Sequence, residues 1–243
     1  ETVEATVLYV MPPDKFGDAD EVEFADVEAA VKAADHLEDA GVTVTRTVDD
    51  GGVAEQIART ATELDADEIV VGGRKRSGVS RVLLGSTAQD VLLSADKPVT
   101  ITGENVVLGE GIRKVLVPID TSVERARNQT EYLTNLPGAP ESLEATVFFV
   151  FPHQDYKGAP PHEFEDVDAA VAAADYLEDE GVSVERVAIG GEVERKILDA
   201  ATERDVDSIV MGGRKRSGLT SVLLGSTTQD VMLSAERPVT LTG

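Results

Sequence analysis

The chain contains one long internal repeat. The segment Gly72–Gly78 (GGRKRSG) returns unchanged as Gly212–Gly218, 140 residues further along. At this offset residues 1–103 align with residues 141–243 without gaps, and roughly 59 of the 103 aligned pairs are identical, far more than chance allows. A period of this length is the size of a whole domain rather than of a solenoid unit. The sequence therefore predicts two similar modules, at 1–103 and 111–243, joined by a linker at 104–110.

Short apolar runs alternate with amphipathic segments in each module, which is typical of βαβ units and a parallel sheet. The second module has five such runs, which we predict to be strands: Lys114–Ile119, Ala145–Phe151, Val182–Ala188, Ser208–Met211 and Pro238–Leu241. Apolar residues at helical spacing lie between them, and a last helix is predicted after Gly225, with Ser226 or Thr227 as its N-cap. The predicted fold class is α/β, as two doubly wound parallel-sheet modules.

The first module lacks an opening unit. The counterpart of Gly111–Pro140, which holds a predicted strand and helix, would lie upstream of Glu1. The first strand of a doubly wound sheet is central, so the first module is expected to have a missing centre. Two explanations stay open: the natural N-terminus was cut away, or another chain supplies this strand.

The charge of the chain excludes some classes of partner. Asp and Glu number 46 against 22 Lys and Arg, which gives a formal net charge of −24. Such a charge repels nucleic acids and anionic membranes, so we expect neither as a partner. With only 8 Lys, the composition favours a halophilic source, because molar salt screens the self-repulsion. An acidic protein from a mesophile is the alternative.

The residue types that are missing narrow the choice further. The chain has no Cys, which excludes disulfides, thiol nucleophiles and Cys-ligated metals. No stretch of 18 apolar residues is long enough for a transmembrane helix, and the first residues lack the pattern of a signal peptide. We therefore expect a cytoplasmic protein.

A glycine-rich basic segment follows the fourth predicted strand of the second module. Met211–Gly218 ends in a turn with three cations, and Gly225-Ser226-Thr227 lies at the predicted start of the last helix. Free backbone N–H groups at a helix N-terminus favour a phosphate, and glycines let it come close. The sequence therefore indicates an anion site, with a solvated basic loop as the alternative.

Two standard phosphate motifs are absent. Gly73–Gly78 has the glycine spacing of a P-loop, but Val79 and Ser80 follow where Lys and Ser or Thr are needed, and no Gly-x-Gly-x-x-Gly follows the first complete strand. That strand ends instead at Asp120, on the edge where open α/β sheets bind ligands. Asp120 can accept a hydrogen bond from a ribose or an adenine amino group. The alternative is that Asp120 or Ser122 caps the helix containing Glu124–Tyr132.

These motifs together resemble a universal stress protein domain. The resemblance is carried by Val117–Ser122 (VPIDTS), by Ala145–Pro152 and by Val210–Thr227 with the helix and strand that follow. It spans Gly111–Gly243, and Glu1–Gly103 without the opening unit. It implies a five-stranded parallel sheet of the adenine nucleotide alpha hydrolase-like type, in order 3-2-1-4-5. It also implies pairing of the modules through their last strands, Val99–Thr102 and Val239–Thr242.

The resemblance also implies a nucleotide site in the second module. Some members of the family bind ATP, with Mg²⁺, through Gly-x-x-Gly, nine residues and Gly-Ser/Thr. The positions carried over as ligand contacts are Pro118, Asp120, Val150, Met211, Gly212, Gly213, Lys215, Gly225, Ser226 and Thr227. Lys215 stands where the family has its second glycine, and Lys75 does so in the first module. A Lys amine at this place can meet a phosphate oxygen directly.

Two functions from different classes follow. The first is a stress-response module that senses ATP or another nucleotide or phosphate ligand. The alternative is a family member that binds no nucleotide and acts through protein–protein interaction, on a client that the sequence does not identify. No metal-ligand pattern and no acid/base pair with an evident role is found, so we expect slow ATP hydrolysis at most. A homodimer is a further candidate assembly.

Overall fold

The computed structural model describes residues 3–13, 22–75, 82–83, 85–103, 111–152, 162–215, 222–223 and 225–243, with the backbone alone at 74–75, 82–83, 214–215 and 222–223. The predicted linker at 104–110 and the end of the basic segment at 216–218 lie outside these residues. The chain forms two compact units, Glu1–Ala66 and Asp67–Gly243.

The first unit holds two parallel strands and two helices. These elements are β1 (Glu4–Met11), a short 3₁₀ helix (Phe24–Asp26), α1 (Glu28–Asp39), β2 (Thr43–Asp50) and α2 (Val53–Glu63). Strands β1 and β2 pair with each other, with Glu4 opposite Thr43. Helix α1 packs against both strands and buries Ala30 and Ala34. The connection from α1 to β2 turns at Gly41, whose φ of 85° is favoured by glycine.

The second unit contains the rest of the first repeat and all of the second. From the first repeat come β3 (Ile69–Gly72), β4 (Arg74–Lys75), β5 (Val82–Leu83), α3 (Ser86–Ser94) and β6 (Val99–Thr102). From the second come β7 (Arg113–Pro118), α4 (Val123–Thr134), β8 (Leu143–Phe151), a 3₁₀ helix (Phe164–Asp166), α5 (Asp168–Asp179), β9 (Ser183–Gly190), α6 (Val193–Glu203), β10 (Ser208–Gly212), β11 (Arg214–Lys215), β12 (Val222–Leu223), α7 (Ser226–Ser234) and β13 (Val239–Thr242).

Seven strands of this unit form one sheet in the order β3-β6-β13-β10-β7-β8-β9. The five strands of the second module pair in parallel throughout. Numbered along the chain they read 3-2-1-4-5, so the predicted fold class and strand order are confirmed. All five predicted strands are present, with ends that differ by one or two residues.

The strands of the first repeat pair in two separate sets. In the second module β7 lies between β8 and β10. In the first repeat, β1 pairs with β2 and β3 pairs with β6, and among the described residues no strand of residues 1–103 takes the place of β7.

The two modules meet at β6 and β13. These strands pair antiparallel, with Val99 opposite Leu241 and Ile101 opposite Val239. The predicted pairing of the modules through Val99–Thr102 and Val239–Thr242 is confirmed. The contact is reciprocal beyond the sheet, since α3 of the first module contacts β12 and α7 of the second contacts β5.

Both faces of the second module's sheet are covered, as expected for parallel strands that read as continuous apolar runs. Val115 and Val117 belong to a buried cluster with residues of α4 and α5, among them Leu133 and Ala170. Leu116 points to the opposite face and is also fully buried. Helix α6 contacts β7 and β8. The core therefore holds the carboxyl ends of β7, β8 and β10 in fixed positions.

Two local features differ from the sequence analysis. The N-cap of α7 is Gly225, whereas we predicted Ser226 or Thr227, which lie inside the first turn. The antiparallel pair β11–β12 was not predicted, since strands of two residues carry no periodic pattern. In the described part of the chain, no helix has the length and apolar character to cross a membrane.

Candidate functional site

The carboxyl ends of β7, β8 and β10 lie side by side at one edge of the sheet. Beyond the end of β7, the backbone N–H of Ile119 donates to Phe148 O at 2.9 Å, which keeps the chain beside β8. Pro118 is buried there. The strand order reverses between β7 and β10, and such a point is where open α/β sheets bind ligands. Pro118 and Asp120, two of the predicted site residues, lie at this point of the sheet, and their role in binding stays a prediction.

A buried glutamine connects the two strands at this point. Gln129, on α4, is 1% exposed, and its Nε2 donates to both Pro118 O and Val210 O at 2.9 Å. The carbonyl groups at the ends of β7 and β10 are thereby satisfied by a side chain. Gln129 fixes the separation of the two strands where they would flank a ligand.

Asp120 lies just beyond β7 and is tied to the start of α4. Its Oδ1 accepts a hydrogen bond from the N–H of Ser122 at 2.8 Å. Its Oδ2 accepts from Nε of Arg125 at 2.7 Å and forms an ion pair with Nη2 at 2.5 Å. The Asp120 side chain remains 45% exposed, so a ligand can still reach the carboxylate.

The capping alternative raised from the sequence holds for Ser122. Ser122 is the N-cap of α4, and its Oγ accepts from the N–H of Arg125 at 3.4 Å. Asp120 supports the same turn through its bond to Ser122. Oδ1 of Asp120 is used in the turn bond and Oδ2 is bound to Arg125, so both oxygens of the carboxylate have partners within the protein.

Gly212, at the end of β10, is in close contact with α4. A Cβ added to Gly212 would lie 2.9 Å from Cβ of Arg125, 3.1 Å from Oε1 of Gln129 and 3.3 Å from Cδ of Arg125. Such distances leave no room for a side chain. The first glycine of the motif is therefore required for helix packing in this chain.

The remaining residues of β8 and β10 contribute buried walls. Val150 and Met211 are each 6% exposed. Gly213 is buried, and its N–H donates to Thr242 O at 2.5 Å, so this part of the loop is attached to β13. Pro118, Asp120, Val150, Met211, Gly212 and Gly213 thus lie at or just beyond the carboxyl ends of three adjacent strands.

The basic loop and the start of α7 follow. Lys215 ends β11 and lies opposite Val222 of β12; its side chain lies outside the described part of the structure. Because the N-cap of α7 is Gly225, the cap residue has no side chain to bond to the N–H groups of the first turn. Ser226 is exposed and Thr227 is half-buried. A helix N-terminus of this kind suits a phosphate, so the residues present fit a nucleotide.

Arg125 and Gln129 were not predicted to be part of the site. They are four residues apart and so lie on one face of α4, which packs on β10 and β13. A polar pair at this spacing, on a helix that follows Asp120, was the available signal. It was hidden because Arg and Gln are ordinary residues on an exposed helix face.

No group of three or more His, Cys, Asp or Glu side chains within the described ranges is placed to hold a metal ion.

The sequence is similar to those of known proteins. The model of the universal stress protein family matches residues 2–103 and 111–243. Universal stress protein MJ0577 of Methanocaldococcus jannaschii is 35% identical over 63 residues, which are 26% of this chain and 39% of that protein. The chain therefore aligns with well under half the length of this curated relative.

A solved structure that covers both repeats shows the same fold. A universal stress protein from Archaeoglobus fulgidus DSM 4304 has a TM-score of 0.73 at 23% identity, over 98% of this chain and 87% of that one. A universal stress protein from Archaeoglobus fulgidus in complex with dAMP has a TM-score of 0.40 at 23% identity, over 54% of this chain and 98% of that one. With the family match over both repeats, the chain belongs to the universal stress protein family.

Proposed function

We propose that this chain is a stress-response protein whose second module binds ATP or a related nucleotide or phosphate ligand and acts as a sensor. The observation that carries the proposal is the position of Asp120, just beyond β7, and of Gly212, at the end of β10, at the reversal of strand order, with α4 in contact with both. Family membership supports the same location, as does the chemistry of the α7 N-terminus.

The roles follow from chemistry. The carboxylate of Asp120 would accept from a ribose hydroxyl or an adenine amino group. The N–H groups of the first turn of α7, together with Ser226 and Thr227, would donate to phosphate oxygens. Bound Mg²⁺, where present, would neutralise phosphate charge. The ligand would be held as a signal or be hydrolysed slowly.

Residues 1–103 contain only part of an equivalent site. They have Val10, Val71 and Thr87 at positions that match Val150, Met211 and Thr227, but no residue of 1–103 aligns with Asp120. Without that carboxylate, the ribose or adenine of the ligand would have no acceptor at this position. We therefore propose one site per chain.

A second candidate function is favoured by a specific observation. Both oxygens of Asp120 already have partners within the protein. A family member in this state could act through a client protein instead, alone or as a homodimer. Under that hypothesis neither the wild type nor a protein with Asp120 substituted binds a nucleotide.

The proposed setting is a high-salt one, because a net charge of −24 is tolerated best where salt screens it. We expect the midpoint of thermal unfolding to rise as KCl is increased from millimolar to molar concentration. A midpoint that is constant or falls would argue for the mesophilic alternative.

Calorimetry with ATP and Mg²⁺ in molar KCl tests the function. We expect Asp120→Ala to lower the affinity about tenfold or more, as for the loss of a hydrogen bond to a charged group. Lys215→Gly should preserve or raise the affinity, because it restores the family's glycine. Glu141→Ala, which also removes one exposed carboxylate, is the matched control and should bind as the wild type does. Equal affinities for Asp120→Ala and Glu141→Ala would show that the site is assigned wrongly.

A further inference from the structure

Arg125 links the two halves of the candidate site. Its guanidinium group binds Asp120 through Nε and Nη2, at the place proposed for the nucleoside. Its aliphatic part lies on Gly212, with Cβ and Cδ only 2.9 and 3.3 Å from the position of an added Cβ. Arg125 therefore lies between the position for the nucleoside and the glycine that begins the phosphate loop.

We propose that Arg125 determines ligand specificity, by making the second module bind a phosphorylated nucleoside in preference to the free nucleoside. This inference rests on the proposed function. In the unliganded protein Arg125 neutralises Asp120. In the complex its guanidinium group turns from Asp120 to a phosphate oxygen, and Asp120 becomes available to the ribose or the base.

Charge balance at Asp120 and Arg125 favours a nucleotide over a nucleoside. When a nucleoside binds to Asp120 in place of Arg125, a charge-assisted hydrogen bond is replaced by a hydrogen bond from a neutral donor. The guanidinium group of Arg125 is then left without a partner. A nucleotide brings its own anion, so that Arg125 exchanges one oxyanion for another. The phosphate thereby compensates for the loss of the ion pair, whereas the nucleoside cannot.

The position of Arg125 allows this exchange. Its side chain is 25% exposed, so the guanidinium group borders solvent although the stem is packed. The stem is held by Gly212 from one side, which keeps the charge at the sheet edge in either arrangement. Arg is suited to the task, because its planar fork binds carboxylate and phosphate in the same bidentate way.

The other arginine in this part of α4 has a different environment. Arg127 is 73% exposed, and its Nε donates to Glu131 at 2.6 Å, one helical turn away. This pair lies on the surface of one helix and touches neither Asp120 nor Gly212. Arg127→Ala is therefore the matched control, because it removes the same charge from the same helix without altering the site.

The test measures ATP and adenosine binding by calorimetry, on the wild type, Arg125→Ala, Arg125→Lys and Arg127→Ala, each in molar KCl. We expect the wild type to bind ATP at least tenfold more tightly than adenosine. Arg125→Ala should bind ATP about tenfold or more weakly, the effect of losing a charged hydrogen bond. It should bind adenosine roughly two- to fivefold more tightly, because a partly exposed ion pair no longer competes. Arg125→Lys should lie between, since it keeps the charge and loses the fork.

Each outcome is decisive. If Arg125→Ala keeps the wild-type ratio of ATP to adenosine affinity while Asp120→Ala weakens ATP binding as expected, the specificity role is wrong and the proposed function stands. If neither ligand binds to any variant, the proposed function fails and this inference fails with it. Should Arg125→Ala unfold, the ratio measured for Arg125→Lys decides, and a wild-type ratio there overturns the proposal.

Discussion

Thr100 and Thr240, which occupy the same position in the two repeats, are hydrogen-bonded to each other with their Oγ1 atoms 2.6 Å apart. Both residues are buried and lie opposite each other in the β6–β13 pair. Thr100 Oγ1 also donates to Oε1 of Glu68. Since a hydroxyl has one proton, Thr240 must be the donor to Thr100. A directed chain of hydrogen bonds therefore crosses the junction between the modules.

This direction predicts unequal effects of two similar substitutions. Thr240→Val removes the donor to Thr100 while Thr100 keeps its bond to Glu68, so the loss of unfolding free energy should be about 1 kcal/mol. Thr100→Val leaves both Thr240 and Glu68 without this partner and should cost about 1–3 kcal/mol. Urea unfolding at fixed salt measures both. A larger effect for Thr240→Val would contradict the donor assignment.

Tyr132 extends the same network from α4 and makes it sensitive to pH. Burial raises the pKa of the Tyr132 phenol well above its usual range, and the nearby Glu68 carboxylate raises it further. The unfolded phenol loses its proton near pH 10, while the folded one keeps it. The stabilisation is therefore complete below pH 10 and is lost as the pH rises through the folded pKa.

We predict that the wild type loses up to about 1 kcal/mol of stability per pH unit above pH 10 through this group, and that Tyr132→Phe does not. Denaturant unfolding at pH 9, 10 and 11 gives the difference between the two proteins. Parallel curves for the wild type and Tyr132→Phe would show that the Tyr132 phenol titrates normally.

The repeat and its strands could be predicted from the sequence. The strands follow from local patterns of apolar runs and Gly stops, and the repeat follows from comparing the sequence with itself. The order of the strands came from the resemblance. What could not be predicted depends on contacts between distant residues. The crowding of Gly212 by Arg125, and the bridge from Gln129 to Pro118 and Val210, appear only when α4 is placed on β10.

The cap of α7 shows a different limit. Ser226 and Thr227 are better N-cap residues than Gly225 by propensity, yet Gly225 takes the position. Propensity alone does not select among adjacent residues, and helix ends are uncertain by one or two positions. The hydroxyl groups of Ser226 and Thr227 therefore do not serve as the N-cap of the helix.

The two copies of the motif glycine should respond differently to the same substitution. Gly212→Ala places a Cβ 2.9 Å from Cβ of Arg125, so α4 must shift, at a cost of about 1–3 kcal/mol. Gly72→Ala places a Cβ with no atom of the described residues within 4 Å and should change the stability by less than about 0.5 kcal/mol. Thermal unfolding of both variants compares them directly. Equal losses would contradict the close packing of α4 on β10.

Val70 and Val210 offer a second matched pair. Val70 is 62% exposed and its counterpart Val210 is 1% exposed, below α4. Val210→Thr buries a hydroxyl in an apolar cluster and should cost about 1–3 kcal/mol, whereas Val70→Thr should be close to neutral. Urea unfolding separates them. A marked loss for Val70→Thr would mean that its side chain is covered in solution.

The central claim is that one nucleotide site exists in this chain, in the second module. Calorimetric titration of the wild type with ATP and Mg²⁺ in molar KCl tests it most directly through the stoichiometry. We predict saturation at one ATP per chain, and an affinity about tenfold or more lower in Asp120→Ala. Saturation at two per chain, or no binding heat at any concentration, would contradict the claim.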